Sequence, residues 1–172
     1  HPEVLARIRD GDEPYLDATV KEVLRVRPVL AITPRQVVGS YDLHGWTLPA
    51  GVHVTPCIYL AHRRADVWDD PTAFRPERFL NGAPEPYTFI PFGGGMRRCV
   101  GAAFATLEMK EVLRAVASRY DLRPAVRGGE RMRRRSITMT PSRGGYVVPH
   151  SPRHADVLSP QPADGQLPDL QP

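Results

Sequence analysis

Residues 92–101 read Phe-Gly-Gly-Gly-Met-Arg-Arg-Cys-Val-Gly and place one cysteine, Cys99, at the end of a glycine-rich turn. Directly after it, residues 100–120 carry apolar side chains at helical spacing, which predicts the clearest helix of the chain. The N-terminus of a helix offers unpaired N–H groups and a positive dipole end, and Arg97 and Arg98 add positive charge. The stretch therefore favours a thiolate at Cys99 over a packed core cysteine.

The spacing of the residues around Cys99 is specific. Its neighbours at fixed distances are Phe92 seven residues before it, Gly93 and Gly95 six and four before it, Arg97 two before it, Gly101 two after it, and then Ala105 and Glu108. This pattern resembles the haem-binding loop of the cytochrome P-450 superfamily at every fixed position. The resemblance implies that Cys99 is the axial ligand of the iron in haem b (iron protoporphyrin IX), and a metal bound there removes the thiol proton outright.

The same resemblance assigns roles to the other residues of the loop. Gly93 and Gly95 would let the backbone approach the haem, and a side chain at Gly101 would crowd the porphyrin plane. Phe92 would cover the proximal side and limit water near the iron–sulfur bond, with plain core packing as the alternative. Arg97 occupies the position that binds a haem propionate.

A further arginine, Arg35, matches a second propionate-binding position of the family. It follows Thr33 and Pro34 and precedes a predicted hairpin. Propionates are anionic and need partners in a mostly apolar pocket, which an arginine supplies. A surface position on a strand is the alternative for Arg35.

Other sites that use a glycine-rich turn or a cysteine fit less well. A phosphate-binding loop requires Lys-Ser or Lys-Thr after the last glycine, and the dinucleotide fingerprint requires spaced glycines after a strand. The sequence has neither arrangement. A zinc site is disfavoured because Cys57 and Cys99 are far apart and have no closely spaced Cys or His partners.

A second motif couples distant parts of the chain. Glu22 and Arg25 lie three residues apart on one predicted helix, which by itself predicts only a weak surface ion pair. Residues 74–79, Phe-Arg-Pro-Glu-Arg-Phe, lie between that helix and the cysteine loop. In the family resembled, these motifs form a buried network, which carries over to Glu22, Arg25 and Arg78. One carboxylate between two guanidiniums would lock the helix to the later segment, so we expect a role in the scaffold and in haem incorporation, not in catalysis.

The pattern of elements predicts a mainly α protein with small β-sheets, an α+β fold. The resemblance implies that it is the C-terminal portion of the P-450 fold. Helices are expected at residues 2–9, 14–27, 58–64 and 100–120, and strands at residues 29–33, 36–38, 41–43, 52–55, 136–140 and 146–148. The last two strands are expected to form a terminal hairpin. The final helix is expected to bury the face that carries Ala105, Met109, Val112, Leu113 and Val116.

The segment between the third and fourth helices has a mixed composition. Residues 65–95 are rich in Pro and Gly yet carry six aromatic side chains, which predicts a packed meander that leads to Cys99. We assign residues 1–150 to the C-terminal part of a P-450 domain. Residues 151–172 are Pro-rich without periodicity, and we expect them to be a disordered tail.

Composition excludes several classes of protein. The 172 residues are 41% hydrophobic and have a formal net charge of +4, which is typical of a chain with a real core. The basic run at residues 131–135 has no interleaved aromatic side chains, so we expect a solvated turn beside a strand and no nucleic-acid binding. No apolar run is long enough to span a membrane. Cys57 and Cys99 lie in contexts too different for a disulfide, which favours a reducing, cytoplasmic location.

The resemblance also implies an activity, that of a haem-thiolate monooxygenase. Such an oxidoreductase inserts one oxygen atom of O2 into an organic substrate, with electrons from NAD(P)H through a ferredoxin or a flavoprotein reductase. The axial thiolate favours cleavage of the O–O bond. Residues 29–33 and 138–141 resemble substrate-contacting segments, and their apolar character implies a hydrophobic substrate.

The family's long central helix, which relays protons to dioxygen, would precede residue 1. We therefore expect this chain to be a C-terminal fragment that supplies the proximal haem-binding half and is inactive alone. Two alternatives stay open. One is a haem-thiolate isomerase, dehydratase or peroxygenase, and the other is a non-catalytic haem-binding remnant.

Overall fold

The computed structural model describes residues 1–82, 84–125 and 128–152. It begins with two helices, α1 at Pro2–Arg9 and α2 at Glu13–Val26. The side chain of Asp12 accepts the Tyr15 N–H at 3.0 Å and so caps the N-terminus of α2. Pro28 limits the helix at its other end, because proline disfavours a helical residue before it. Both predicted helices are confirmed, each to within one residue at either end.

The first core joins α1 and α2 to the long helix α4, which spans Ala102–Arg119. Its buried members are Val4, Ile8, Tyr15, Leu16 and Ala117, with Leu113 packed against them. The guanidinium of Arg9 adds a polar tie, because its Nε donates to the carbonyl oxygen of Ala117 at 3.0 Å. The two N-terminal helices therefore brace the helix that begins just after Cys99.

Helix α4 has the predicted period but buries less of its apolar face than the sequence predicts. Ala102 and Ala117 are its buried residues, and Val112 of the predicted face is 56% exposed. The other predicted core positions are half-buried, namely Ala105, Met109, Leu113 and Val116. The reason is that, in the part of the chain that the structure describes, α1, α2 and the strand at Tyr120–Pro124 contact α4 and leave Val112 uncovered.

The second core lies in the segment that leads to the cysteine loop. Helix α3 spans Ile58–Ala61, shorter than predicted, and residues 65–95, here called the aromatic meander, follow it. The rings of Trp68 and Phe79 have centroids 5.8 Å apart, and those of Phe79 and Phe89 are 5.0 Å apart. These rings pack against Ala18 on α2, so the predicted packed meander is confirmed.

Small antiparallel sheets connect these parts. Strand β1 (Arg35–Gln36) pairs with β4 (His53–Val54), and β2 (Tyr41–Leu43) pairs with β3 (Trp46–Leu48). The prediction missed β3, because a three-residue strand directly after a turn has too short a pattern to recognise. The predicted strand at residues 29–33 is present only as two isolated bridges, from Leu30 to Thr138 and from Ile32 to Cys57.

The pairing of the C-terminal strands differs from the prediction. Strand β6 (Met132–Arg135) forms a hairpin with β7 (Thr138–Pro141), and β8 (Val147–Pro152) pairs instead with β5 (Tyr120–Pro124). The predicted hairpin between residues 136–140 and 146–148 is therefore wrong. The basic run at residues 131–135 contributes a strand instead of a turn, although its arginines are exposed as expected. Single-strand patterns do not specify partners, and here each strand pairs with one that the prediction did not contain.

The predicted fold class is confirmed, since the described residues form helices and small two-stranded sheets. None of their helices has the length and apolar character needed to cross a bilayer. The tail predicted for residues 151–172 falls, from residue 153 onward, outside the described residues.

The first core generates a stability prediction. Replacing Leu16, which is 1% exposed, by Ala leaves a cavity between α1, α2 and α4. The free energy of unfolding should fall by about 2 to 5 kcal/mol, as measured by urea denaturation. Val38→Ala is the matched control, because Val38 is 94% exposed and should leave the midpoint unchanged. Equal losses in both variants would contradict the assignment of this core.

Candidate haem site

The cysteine loop, residues 92–99, is closed by its own backbone. The Cys99 N–H donates to the Phe92 carbonyl oxygen at 2.9 Å, and the Arg98 N–H donates to that of Gly95 at 3.1 Å. Gly93 and Gly95 have φ of 72° and 63°, a left-handed conformation that other residues adopt only with strain. The loop therefore needs glycine at these two predicted positions for its own geometry, independently of any ligand.

The loop presents the cysteine at the start of α4. Cys99 is exposed, and its carbonyl oxygen accepts the N–H of Ala102, the first residue of the helix, at 3.3 Å. Gly101 is the N-cap, and a Cβ added there would lie 3.9 Å from the Cys99 Sγ. The absence of a side chain thus leaves open the space beside the sulfur. An exposed sulfur at the positive end of an 18-residue helix is well placed to act as a thiolate ligand.

The two arginines predicted to bind propionates line one cleft. Arg35 on β1 and Arg97 in the cysteine loop border a cleft of about 620 Å³ together with Pro34 and Gln36. Both arginines are exposed, and within residues 1–82, 84–125 and 128–152 neither forms an ion pair with a carboxylate. Arg35 donates only to the carbonyl oxygen of Pro34, at 2.9 Å. The cleft therefore has two cations available for an anionic ligand.

Phe92 is half-buried, and the contact that the structure gives it with the cysteine is made by its backbone carbonyl. Next to the loop, Tyr87 lies against Gly94, because a Cβ at Gly94 would be 3.6 Å from the tyrosine ring. Sequence reasoning did not find this contact, since a glycine inside a run of three gives no sign of what packs on it. The end of the aromatic meander and the cysteine loop are thus packed together.

The residues Glu22, Arg25 and Arg78 form a buried cluster, here called the Glu22 cluster. Arg25 binds Glu22 through two hydrogen bonds, from Nε to Oε2 at 2.7 Å and from a terminal nitrogen to Oε1 at 2.8 Å. The Arg78 Nε donates to the Glu22 Oε1 at 3.3 Å, and the Arg75 backbone N–H donates to the same oxygen at 2.8 Å. The side chains of Glu22 and Arg25 are 0% exposed and that of Arg78 is 9% exposed. The structure thus brings together the three residues that sequence reasoning grouped.

The remaining donors of the Glu22 cluster bind backbone carbonyls that no sequence pattern marks. Arg25 donates to the carbonyl oxygens of His62 and Pro71, both at 2.8 Å, and of Ala73 at 3.0 Å. Arg78 donates to the carbonyl oxygen of Asp70 at 2.7 Å and to that of Asp69. Because carbonyl acceptors belong to the backbone, their sequence carries no signal for this role. They fasten the aromatic meander to α2.

His62 is a further buried group, which the sequence analysis does not single out. Its side chain is fully buried, its Nε2 accepts the Ile90 N–H at 2.9 Å, and its ring stacks on Phe89 with centroids 5.3 Å apart. Burial, together with the positive charges of Arg25 and Arg63, lowers the pKa of His62 from 6.5 to about 4. The imidazole is therefore neutral near pH 7, which its acceptor role requires.

Comparison with known proteins agrees with this geometry. Residues 11–148 match the family model described as Cytochrome P450. The chain belongs to the cytochrome P450 family. A protein of Mycobacterium tuberculosis named "Putative cytochrome P450 135B1" is 41% identical over 155 residues, which are 90% of this chain and 33% of that protein. "Putative cytochrome P450 138" of Mycobacterium bovis is 40% identical over 153 residues, which are 86% of this chain and 35% of that protein.

Solved P450 structures share the fold. A cyanobacterial CYP120A1 with bound retinoic acid superposes with a TM-score of 0.78 at 29% identity, over 87% of this chain and 39% of that one. A zebrafish cytochrome P450 with abiraterone gives a TM-score of 0.72 at 30% identity, over 90% of this chain and 40% of that one. The chain spans about a third of the length of the curated relatives it matches.

Haem is the cofactor that this family implies, and the residues present fit it. The Cys99 sulfur is exposed, and Gly101 leaves space beside that sulfur. Arg35 and Arg97 offer two guanidiniums on one cleft, a charge pattern that suits anionic propionates. Haem iron accepts a soft thiolate ligand, and Cys99 offers the sulfur for it.

The Glu22 cluster generates a second prediction. Glu22→Gln removes the only carboxylate bound to Arg25 and Arg78 in the described residues and leaves buried positive charge uncompensated. The free energy of unfolding should fall by about 3 to 5 kcal/mol in a denaturation experiment. Asp66→Asn, which breaks the exposed pair with Arg64, is the matched control and should leave the midpoint unchanged. If the Glu22→Gln variant keeps the wild-type free energy of unfolding, the Glu22 cluster does not hold the fold together.

The shifted pKa of His62 predicts a pH dependence. Because the folded pKa of about 4 lies below the unfolded value of 6.5, the unfolded chain binds the extra proton first as the pH falls. The stability that His62 contributes is present above pH 6.5 and is lost between about pH 6.5 and pH 4, by roughly 3 kcal/mol in total. Denaturation midpoints of the wild type and of His62→Gln across this range measure it. Parallel curves for the two proteins would contradict the assignment.

Proposed function

We propose that this chain supplies the haem-thiolate-binding part of a cytochrome P450 monooxygenase, which inserts one oxygen atom of O2 into a hydrophobic organic substrate. The observation that carries the proposal is the exposed Cys99 sulfur at the N-terminus of α4, beside the space that Gly101 leaves open. A thiolate-ligated haem supplies the oxidising chemistry of this family when it is bound. The residues of this chain hold that group and shield its proximal side.

Each part of the site has a proposed task. Cys99 would bind the iron through its sulfur, which lies at the positive N-terminal end of α4. Arg35 and Arg97 pair with the propionates in the cleft that they share. Phe92 limits water near the sulfur while its carbonyl oxygen fixes the Cys99 backbone. No residue of this chain is proposed to move a proton to or from substrate.

The Glu22 cluster has a proposed role in haem incorporation. Glu22 binds both Arg25 and Arg78 in the core, and the two arginines also donate to backbone carbonyls, so their hydrogen bonds serve the scaffold. They hold the aromatic meander, which leads directly into the cysteine loop. A cysteine loop that is fixed before haem arrives loses less conformational entropy on binding. We therefore assign the cluster to the scaffold.

The proposed hydrophobic substrate agrees with the surface next to the cleft. The Met139 N–H donates to the Val29 carbonyl oxygen at 2.7 Å, and Leu30 bridges to Thr138. The two segments that were expected to contact substrate therefore lie side by side. Val29 and Ile32, both on the first of these segments, are 52% and 48% exposed. An apolar surface of this kind favours an apolar ligand.

The proposal also includes an electron donor of the kind that this family uses and a cellular location for the protein. Electrons would come from NAD(P)H through a ferredoxin or a flavoprotein reductase, and the location would be cytoplasmic, where Cys57 and Cys99 stay reduced. We propose that the chain alone holds haem weakly and does not hydroxylate. The reason is that Val100 and Phe104, close to Cys99, are 103% and 71% exposed, so the described residues leave the sulfur's surroundings open.

A cysteine substitution tests the ligand. In the full encoded polypeptide, Cys99→Ala should abolish the reduced carbon-monoxide band at the thiolate position and reduce haem content by at least about tenfold, since the iron loses its protein ligand. Absorption spectroscopy and haem assay measure both effects. Cys57→Ala is the matched control, because Cys57 is the chain's other cysteine and lies on a bridge to Ile32, away from the loop. Full haem content with an unchanged band in Cys99→Ala would overturn the proposed function.

A further inference from the structure

His62 binds two parts of the fold through two different sets of atoms. Its backbone carbonyl oxygen accepts a hydrogen bond from Arg25 at 2.8 Å, which joins it to the Glu22 cluster. Its side-chain Nε2 accepts the Ile90 N–H at 2.9 Å, at the end of the aromatic meander. One residue thus contacts both the buried scaffold and the segment that enters the cysteine loop.

Backbone hydrogen bonds connect Ile90 to Cys99 over a short stretch of chain. The Ile90 carbonyl oxygen accepts the Gly93 N–H at 2.9 Å, and the Phe92 carbonyl oxygen accepts the Cys99 N–H at 2.9 Å. Ile90 precedes Phe92 by two residues, with Pro91 between them. Because proline fixes its own φ and restricts the residue before it, a shift at Ile90 passes to the Phe92 carbonyl with little freedom to absorb it.

The imidazole combines a hydrogen-bond acceptor and a stacking ring in one side chain. Nε2 must be unprotonated to accept, so the neutral ring carries its proton on Nδ1. Nδ1 is buried and has no hydrogen-bond partner among the described residues. The ring also stacks on Phe89 at 5.3 Å. Glutamine could supply the acceptor without the stack, and phenylalanine the stack without the acceptor.

We propose that His62 is a positioning residue that sets the place of the cysteine loop relative to the Glu22 cluster through its hydrogen bond to Ile90. This inference deepens the proposed function and rests on it only where the position of Cys99 affects a bound haem. A purely structural histidine would stabilise the whole fold evenly. A positioning residue acts first on the amides between residues 90 and 99.

Amide hydrogen exchange distinguishes these two roles, because it can be measured on the full encoded polypeptide both with and without haem. His62→Phe should raise the exchange rates of the Ile90 and Cys99 amides by about three- to tenfold while the amides of α1 keep their rates. His62→Gln should restore most of the protection, since its amide oxygen can accept the Ile90 N–H. His53→Phe is the matched control, because His53 is an exposed histidine on β4.

In the haem-loaded protein, His62→Phe should also shift the iron reduction potential and broaden the thiolate spectrum relative to the His53→Phe control. Uniform acceleration of amide exchange across all helices, or no acceleration at Cys99, would overturn the proposal.

If His62→Phe does not fold, a measurement on the wild-type protein tests the proposal instead. Nitrogen NMR should find the His62 proton on Nδ1 and a coupling across the bond from the Ile90 amide to Nε2, and a proton on Nε2 would overturn the proposal.

Failure of this proposal and failure of the proposed function give different results. If Cys99→Ala keeps its haem and its band, the thiolate assignment is wrong, but the exchange rates of the haem-free protein are unaffected by that outcome. If the exchange pattern fails while Cys99→Ala loses haem, the ligand stands and His62 has no positioning role.

Discussion

The buried ion pair between Glu22 and Arg25 is the interaction on which the rest of the structure depends. Both side chains are fully excluded from solvent, and a buried charge is tolerated only when its hydrogen-bonding capacity is satisfied. Here the carboxylate receives donors from Arg25, Arg78 and the Arg75 backbone, and the remaining Arg25 donors reach three carbonyl oxygens from residues 62 to 73. The pair can therefore stay buried only while the aromatic meander is folded around it.

This dependence gives the cysteine loop its rigidity. The meander has little regular secondary structure, so its shape is fixed by the Glu22 cluster on one side and by the packing of Trp68, Phe79 and Phe89 on the other. The loop that follows closes on itself through the bond from Cys99 to Phe92 and uses left-handed glycines. A sulfur that binds a metal must be held in a fixed position. Irregular backbone can hold it there when the N–H and C=O groups of that backbone have hydrogen-bond partners.

Sequence patterns predicted the parts of the molecule that are determined locally. Helices α1, α2 and α4 follow from periodicity and from stop signals such as Pro28, and the cysteine loop follows from its glycines and spacing. The partners of β7 and β8 were predicted wrongly, because pairing depends on which distant strands are available and not on a strand's own residues. The role of His62 was missed for the same reason. Its ring accepts the backbone N–H of Ile90, and its own backbone carbonyl oxygen accepts from the Arg25 guanidinium, so each bond uses a backbone atom that carries no sequence signal.

The four arginines assigned to the scaffold and to the site divide into two groups, and the division supports the ligand proposed for the site. Arg25 and Arg78 both donate to Glu22 and to backbone carbonyl oxygens, so the scaffold itself supplies the carboxylate that faces their charge. Arg35 and Arg97, which share a cleft beside the cysteine loop, have no such carboxylate within the described residues. An exposed guanidinium is hydrated at little cost, but two in one cleft repel each other unless an anion joins them. The anion must also lie near a thiolate without replacing it. A flat metal-bearing ligand with carboxylates at its edge would meet both conditions, because Cys99 could hold its metal and Arg35 and Arg97 could pair with its carboxylates.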